Sequence, residues 1–174
     1  MIYPKHIELK AKGYEDFVDN IFPKLDEICE TTVNDPQGHL QIAIMEAANN
    51  AARYSLAGLE EAEITIKITI HMRDISIHIL GNTRDWDIER FVDDARKLAY
   101  SPEWHNKNFG EFKGDRLSGR GIWLMLEACE YLYIDSKTKA VTMAVSYPYN
   151  PNLITQKMHI LVDRLHILRN GVIA

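Results

Sequence analysis

The sequence predicts an α/β fold of the α+β type: a two-layer sandwich, with helices packed on one face of a mixed β-sheet. Three features predict it. Residues 63–71 (EITIKITIH) and 75–80 (ISIHIL) alternate apolar and polar with period 2, and only Met72, Arg73 and Asp74 separate them, the pattern of a hairpin. Segments with apolar residues every three to four positions lie on both sides of that hairpin, as in amphipathic helices. Strand and helix patterns interleave along the chain, which fits one sheet covered by helices. The length of 174 residues suits a single core, since a chain of that size buries roughly 70% of its unfolded surface.

The elements follow in order. Residues 6–10 alternate as a short edge strand. Over 14–31, Phe17, Ile21, Leu25 and Ile28 share a helical face, while Pro23 removes a backbone donor and predicts a kink or split. Asn34-Asp35-Pro36 punctuates the chain. A helix is expected over 37–57, with Leu40, Ile44, Ala47, Ala51 and Tyr54 along one stripe. Beyond the hairpin, Asp87 is a natural N-cap for a helix over 88–98. Residues 100–118 show no periodicity and contain Pro102, Gly110 and Gly114. So long an irregular connection reads as a binding loop or lid. A helix over 121–131 and strands over 132–135 and 141–146 complete a domain over residues 1–150.

Residues 151–174 form a C-terminal extension in which Ile154, Met158, Leu161, Leu165 and Leu168 are spaced like a heptad seam. The extension is expected to be helical. It either packs on its own domain or pairs with a partner or a second copy in a homodimer. A strand pair, MHILV and LHIL, is the third reading.

Composition narrows the function. Hydrophobic residues make up 46% and charged residues 26%, ordinary values for a soluble globular protein. A formal net charge of −5 argues against direct nucleic-acid binding or an anionic-membrane role. No apolar run approaches the roughly 20 residues of a membrane span. The opening MIYPKHIELK lacks a secretory apolar core, so a cytoplasmic location is expected. Cys29 and Cys129 have no metal-type spacing and read as two reduced thiols. His71 and His78 sit on alternating strands and read as surface or cross-strand residues.

Chemistry concentrates in two places. EAANNAARYS, residues 46–55, places Asn49 and Asn50 in a helix interior. There each asparagine gives up roughly half a kcal/mol relative to alanine. Glu46 and Asn50, four residues apart, project from one face. The Asn50 carbonyl suits a hard cation such as Mg²⁺, and Glu46 suits the removal of a proton from a hydroxyl. Structural hydrogen bonding inside the helix layer is the alternative reading of the pair. The second place is Leu117-Ser118-Gly119-Arg120-Gly121-Ile122, which closes the irregular connection and opens a helix. Glycines allow close backbone approach, and free N–H groups at a helix start attract anions.

Taken together, this order and spacing resemble the GHKL superfamily of ATP-binding domains, also called the Bergerat fold. Within it, the chain is most similar to bacterial anti-sigma factor serine/threonine kinases. The family's EAxxNAxRH motif is matched by Glu46, Ala47, Asn50, Ala51 and Arg53, with Tyr54 where histidine is usual. Its GxGRGL-type motif is matched by Gly119, Arg120, Gly121 and Ile122. The resemblance covers about residues 1–146. It implies a catalytic Glu46, an Mg²⁺ held by Asn50, and phosphates cradled by Ser118, Gly119, Arg120 and Gly121 under a lid over 100–118. Thr142 could also reach a phosphate, though a strand threonine that faces solvent is the favoured reading. Asn49 is not a family ligand position.

The chain departs from the family where adenine is read. Gly81-Asn82-Thr83-Arg84-Asp85-Trp86-Asp87 stands where the family has Asp-x-Gly and then Phe-Asp. Trp86 and Asp87 fit, but Gly81 replaces the carboxylate that accepts the adenine amino group, and Thr83 replaces the glycine. The glycine that usually opens the last strand is also absent, in Lys137-Thr138-Lys139-Ala140. Asn82 is a candidate substitute for the lost acceptor. Discrimination of ATP from GTP should therefore be weak, with Gly81→Asp restoring it. Two functions follow. One is an ATP- and Mg²⁺-dependent anti-sigma-factor-like kinase, which binds a sigma factor and phosphorylates a serine on its antagonist. The other is a GHKL-fold protein-binding module with weak or no ATP chemistry.

Overall fold

The computed structural model describes residues 4–111, 119–170 and 172–173. The protein is α+β, with a seven-stranded mixed sheet in the order β1-β2-β3-β5-β4-β6-β7. The strands are β1 (Lys5–Lys12), β2 (Glu63–Ile70), β3 (Asp74–Gly81), β4 (Tyr131–Asp135), β5 (Val141–Ser146), β6 (Leu165–Arg169) and β7 (Val172–Ile173). All neighbours are antiparallel except β4 and β6, which run parallel. The β2–β3 hairpin pairs Ile66 with Ile79 and Ile68 with Ile77. These isoleucines are all buried, each contributing about 1.5–3 kcal/mol by leaving water. Lys67 pairs with His78 on the opposite face, so the alternation seen in the sequence sets which face carries the helices.

The stretch expected as one helix over 14–31 is helical throughout, and a π-helical segment just ahead of Pro23 makes it irregular without splitting it. It comprises α1 (Gly13–Asp16), a π-helical turn Phe17–Ile21, and α2 (Phe22–Thr32), with Pro23 in the first turn of α2. Helix α3 (His39–Arg53) is shorter than expected at both ends. Its start is fixed by Asp35, whose buried carboxylate accepts from the N–H groups of His39 at 2.6 Å and Leu40 at 3.2 Å. At its other end Ser55 forms an isolated bridge to Thr83, tying the helix exit to the loop after β3. Helix α4 (Ile88–Ala99) starts where expected, with the Asp87 carboxylate accepting from the Arg90 N–H at 3.0 Å.

Helix α5 (Arg120–Ala128) stops three residues before the expected end. The tail is where the sequence reading needs correction. Instead of a long helix, residues 151–173 contain a 3-10 turn Pro151–Leu153, the five-residue helix α6 (Met158–Val162), and strands β6 and β7. Leu165 and Leu168, expected on a heptad seam, lie on a strand paired with Leu132 and Asp135. The change of structure falls at Arg164. Its half-buried guanidinium donates to the carbonyls of Leu126, Cys129 and Leu153 at 2.8, 3.3 and 3.2 Å. Those contacts hold the chain against the end of α5 and turn it into the sheet, so the tail completes the core begun by residues 1–150.

Candidate functional site

Helices α3 and α5 pack side by side, α3 over β2 and β3 and α5 over β4, and residues of both helices line a pocket of about 450 Å³ above the sheet. Alanines make this possible. Ala47, Ala48, Ala51 and Ala52 are buried, and their small side chains let α3 lie close to both the sheet and α5. Glu46 and Asn50, one turn apart, both line the pocket. Asn49 does not, and nothing in the structure explains its placement.

Glu46 meets the start of α5 closely. A Cβ on Gly121 would fall 2.7 Å from the Glu46 Cγ, so any larger residue there would push the Glu46 side chain aside from the first turn of that helix. The positive end of the α5 dipole favours a negative charge there. Burial raises the pKa of the Tyr14 hydroxyl, and the Glu46 charge nearby adds to the effect. Gly119, at φ 93°, takes the left-handed conformation that lets the chain enter α5, and it lines the pocket with Gly121. Among the described residues no hydrogen bond or ion pair engages the Glu46 carboxylate or the Asn50 amide, which leaves both available to a ligand.

The other end of the pocket is apolar. Ile79, Met125, Ile134 and Val141 form its floor and wall, and Trp86 stands at its side, edge-on to Phe91 with ring centroids 5.2 Å apart. Gly81 and Thr83 border this end. They also border an adjoining hollow of about 560 Å³ that contains Asn82. Two residues not singled out in the sequence join them there. Asp85 and Lys139 line both hollows and form an ion pair at 2.9 Å. The ammonium holds the Asp85 carboxyl below its usual range, chiefly through the hydrogen bond between them. Lys139 occupies φ 62°, the left-handed region that favours glycine, just before β5.

Of the ten residues expected at the site, Glu46, Asn50, Gly81, Thr83, Gly119 and Gly121 converge on the pocket, and Asn82 lies next door. Arg120 is not part of the lining; its guanidinium sits 5.9 Å from the Phe109 ring centroid. Thr142 is on the far face of the sheet, where its hydroxyl is 2.9 Å from the His78 imidazole, so it does not reach the pocket. Strand alternation explains this, because Val141 and Met143 already turn inward. Ser118 lies outside the described residues, as does the 112–118 part of the expected lid.

The first part of that lid is pinned down. The Tyr100 hydroxyl donates to the Asp163 carboxylate at 2.6 Å, the Met158 N–H donates to the Lys107 carbonyl at 2.9 Å, and Asn108 bridges to Lys157. Phe109 is buried and stacks on Trp123. Residues 100–111 are therefore joined to the C-terminal segment.

A nucleotide fits this cleft unevenly. Among the described residues no three His, Cys, Asp or Glu gather as a metal-binding group. Mg²⁺ needs no such cage: it commonly takes one or two protein oxygens and completes its shell with phosphate and water. The Asn50 carbonyl beside the Glu46 carboxylate suits that role. Adenine fits less well, because Gly81 supplies no acceptor and its replacement is sterically blocked: a Cβ there would lie 2.9 Å from the Ala51 Cβ and 3.1 Å from its carbonyl oxygen.

No protein-family model matches the chain, and no curated protein matches it either. Among the described residues no helix is long and apolar enough to cross a membrane.

Proposed function

We propose that the protein is a nucleotide-dependent regulator with a GHKL fold, of the anti-sigma-factor kinase type. The observation that carries this reading is the convergence of Glu46 and Asn50 from α3 with Gly119 and Gly121 from the start of α5 around one pocket. A triphosphate lying along the start of α5 would meet its free N–H groups and positive dipole end. Magnesium supplies charge neutralisation there when bound, and Asn50 is the residue to hold it. Glu46 accepts the proton of a serine hydroxyl presented by a protein substrate, which makes that oxygen the nucleophile. The substrate is proposed to be an antagonist protein and the regulated partner a sigma factor, following the resemblance in the motifs.

A second reading, a protein-binding module that has lost nucleotide chemistry, is favoured by the absent carboxylate at Gly81. Calorimetric titration with ATP and GTP, each with and without Mg²⁺, separates the two. Magnesium-dependent binding of either nucleotide is expected. No heat and no thermal stabilisation with any of them would leave the module reading.

A further inference from the structure

The apolar end of the pocket has a polar rim of unusual character. Buried aliphatic and sulfur-containing side chains form a slot suited to a flat heteroaromatic ring. The hydrogen-bonding groups bordering this slot include donors. Lys139 is nearly enclosed, with a side chain only 13% exposed. An ammonium has three N–H groups and no acceptor. Two of the three are engaged, by the Asp85 carboxylate at 2.9 Å and the Ser136 carbonyl at 2.7 Å, which leaves one. The Thr83 hydroxyl, which is buried and lines the same two hollows as Lys139, has no hydrogen-bond partner among the described residues. Gly81 presents no side-chain acceptor to this edge, and the contact with Ala51 prevents one from being added.

A ring edge entering such a rim is selected by what it offers in return. An amino group beside the ammonium would set donor against donor. The charged acceptor of this rim, the Asp85 carboxylate, is turned to solvent with its side chain 93% exposed, while its Oδ1 takes the ammonium and the Trp86 N–H. An oxo group would accept the third ammonium proton, and an unprotonated ring nitrogen beside it would take the threonine hydroxyl's. Guanine carries such a pair, O6 and N7, on one edge, where adenine has an amino group in place of O6.

We infer that the pocket selects a 6-oxopurine nucleotide, guanine or hypoxanthine, over adenine, with Lys139 as the specificity-determining residue and Thr83 supporting it. The inference rests on the nucleotide reading above and deepens it. The Asp85–Lys139 ion pair holds the ammonium in place by joining the loop after β3 to the β4–β5 turn.

The test is a calorimetric panel on the full-length wild-type protein with GTP, ITP and ATP, each with Mg²⁺, repeated on Lys139→Met. Methionine matches the four-atom stem of lysine without the ammonium nitrogen and faces the same backbone cost at φ 62°. A hydrogen bond to a charged donor corresponds to about tenfold to a hundredfold in affinity, so GTP and ITP should bind at least tenfold more tightly than ATP. Lys139→Met should remove that preference. ATP binding as tightly as GTP would overturn this inference and leave the nucleotide reading standing. Binding of none of the three would overturn both. An ITP affinity matching ATP would show that O6 is not read, and a GTP preference surviving in Lys139→Met would remove Lys139 from the role. If the variant fails to fold, the wild-type panel decides alone.

Discussion

Gly81 of β3 and Ala51 of α3 are packed so closely that a methyl group on Gly81 would lie 2.9 Å from the Ala51 Cβ. The glycine is required by this contact and not by its backbone conformation, since Gly81 is not among the residues at positive φ. This changes the expectation raised by the sequence. Gly81→Asp would not simply restore an adenine-reading carboxylate, because its first side-chain atom has no space.

Gly81→Ala should destabilise the protein by about 1–3 kcal/mol, the usual cost of overpacking. In a chain of this size that corresponds to a fall in Tm of about 2–4 °C per kcal/mol. Ala51→Gly in the same chain should recover part of the loss, the remainder reflecting the Ala51 carbonyl oxygen 3.1 Å away. Additive melting temperatures across the four proteins would mean that the two residues do not press on one another.

Gly121 stands in the same relation to Glu46. A Cβ at position 121 would lie 2.7 Å from the Glu46 Cγ, so Gly121→Ala should displace the carboxylate and lower Tm. Glu46→Ala added to it should restore most of the stability, a coupling of about 0.5–3 kcal/mol. If the protein transfers phosphate, Glu46→Gln should remove turnover while nucleotide affinity stays near wild type, because a general base acts in the transition state. A Glu46→Gln protein that turns over normally would exclude that role.

How far the sequence could be read follows from which forces act locally. The hairpin, the Asp87 cap, β4, β5 and the irregularity of the helix next to Pro23 were legible because period, capping and a missing N–H are properties of a few adjacent residues. The convergence of Glu46, Asn50, Gly119 and Gly121 was legible through helix geometry and motif order. Lys139 was not, because its place depends on an ion pair with Asp85, far away along the chain. The tail misled for a related reason. The spacing of Leu161, Leu165 and Leu168 fits a helix, yet Arg164 finds carbonyl acceptors from Leu126, Cys129 and Leu153 that only tertiary structure brings together.

Arg164 therefore provides a test of whether the tail belongs to the core. Arg164→Met keeps the aliphatic stem and removes the donors, leaving three carbonyls without their charged partner. The expected loss is about 2–3 kcal/mol, since hydrogen bonds to charged groups are stronger than neutral ones and desolvated carbonyls are costly to leave unpaired. Urea titration of wild type and variant measures it. A change below about 0.5 kcal/mol, the scale of ordinary surface substitutions, would indicate that water replaces the guanidinium.

The last prediction concerns pH. Burial raises the Glu127 carboxyl from 4.5 to about 7, and the Arg164 charge offsets only part of the effect. Between those values the folded protein keeps a proton that the unfolded chain releases. The contribution of Glu127 to stability is thus greatest below pH 4.5, declines as pH rises, and is gone above about 7. Asp135 acts in the opposite sense, since backbone N–H groups, Thr138 first, hold its carboxyl below the usual range. Comparison with Glu127→Gln isolates the one group from the other. Because Glu127 is only half-buried, solvent screening reduces the full linkage value to on the order of 1 kcal/mol. Urea unfolding at intervals from pH 4.5 to 8 should therefore show wild type losing about that much relative to Glu127→Gln as pH rises. A difference that stays constant across the range would show that the carboxyl ionises as freely in the folded protein as in the unfolded chain.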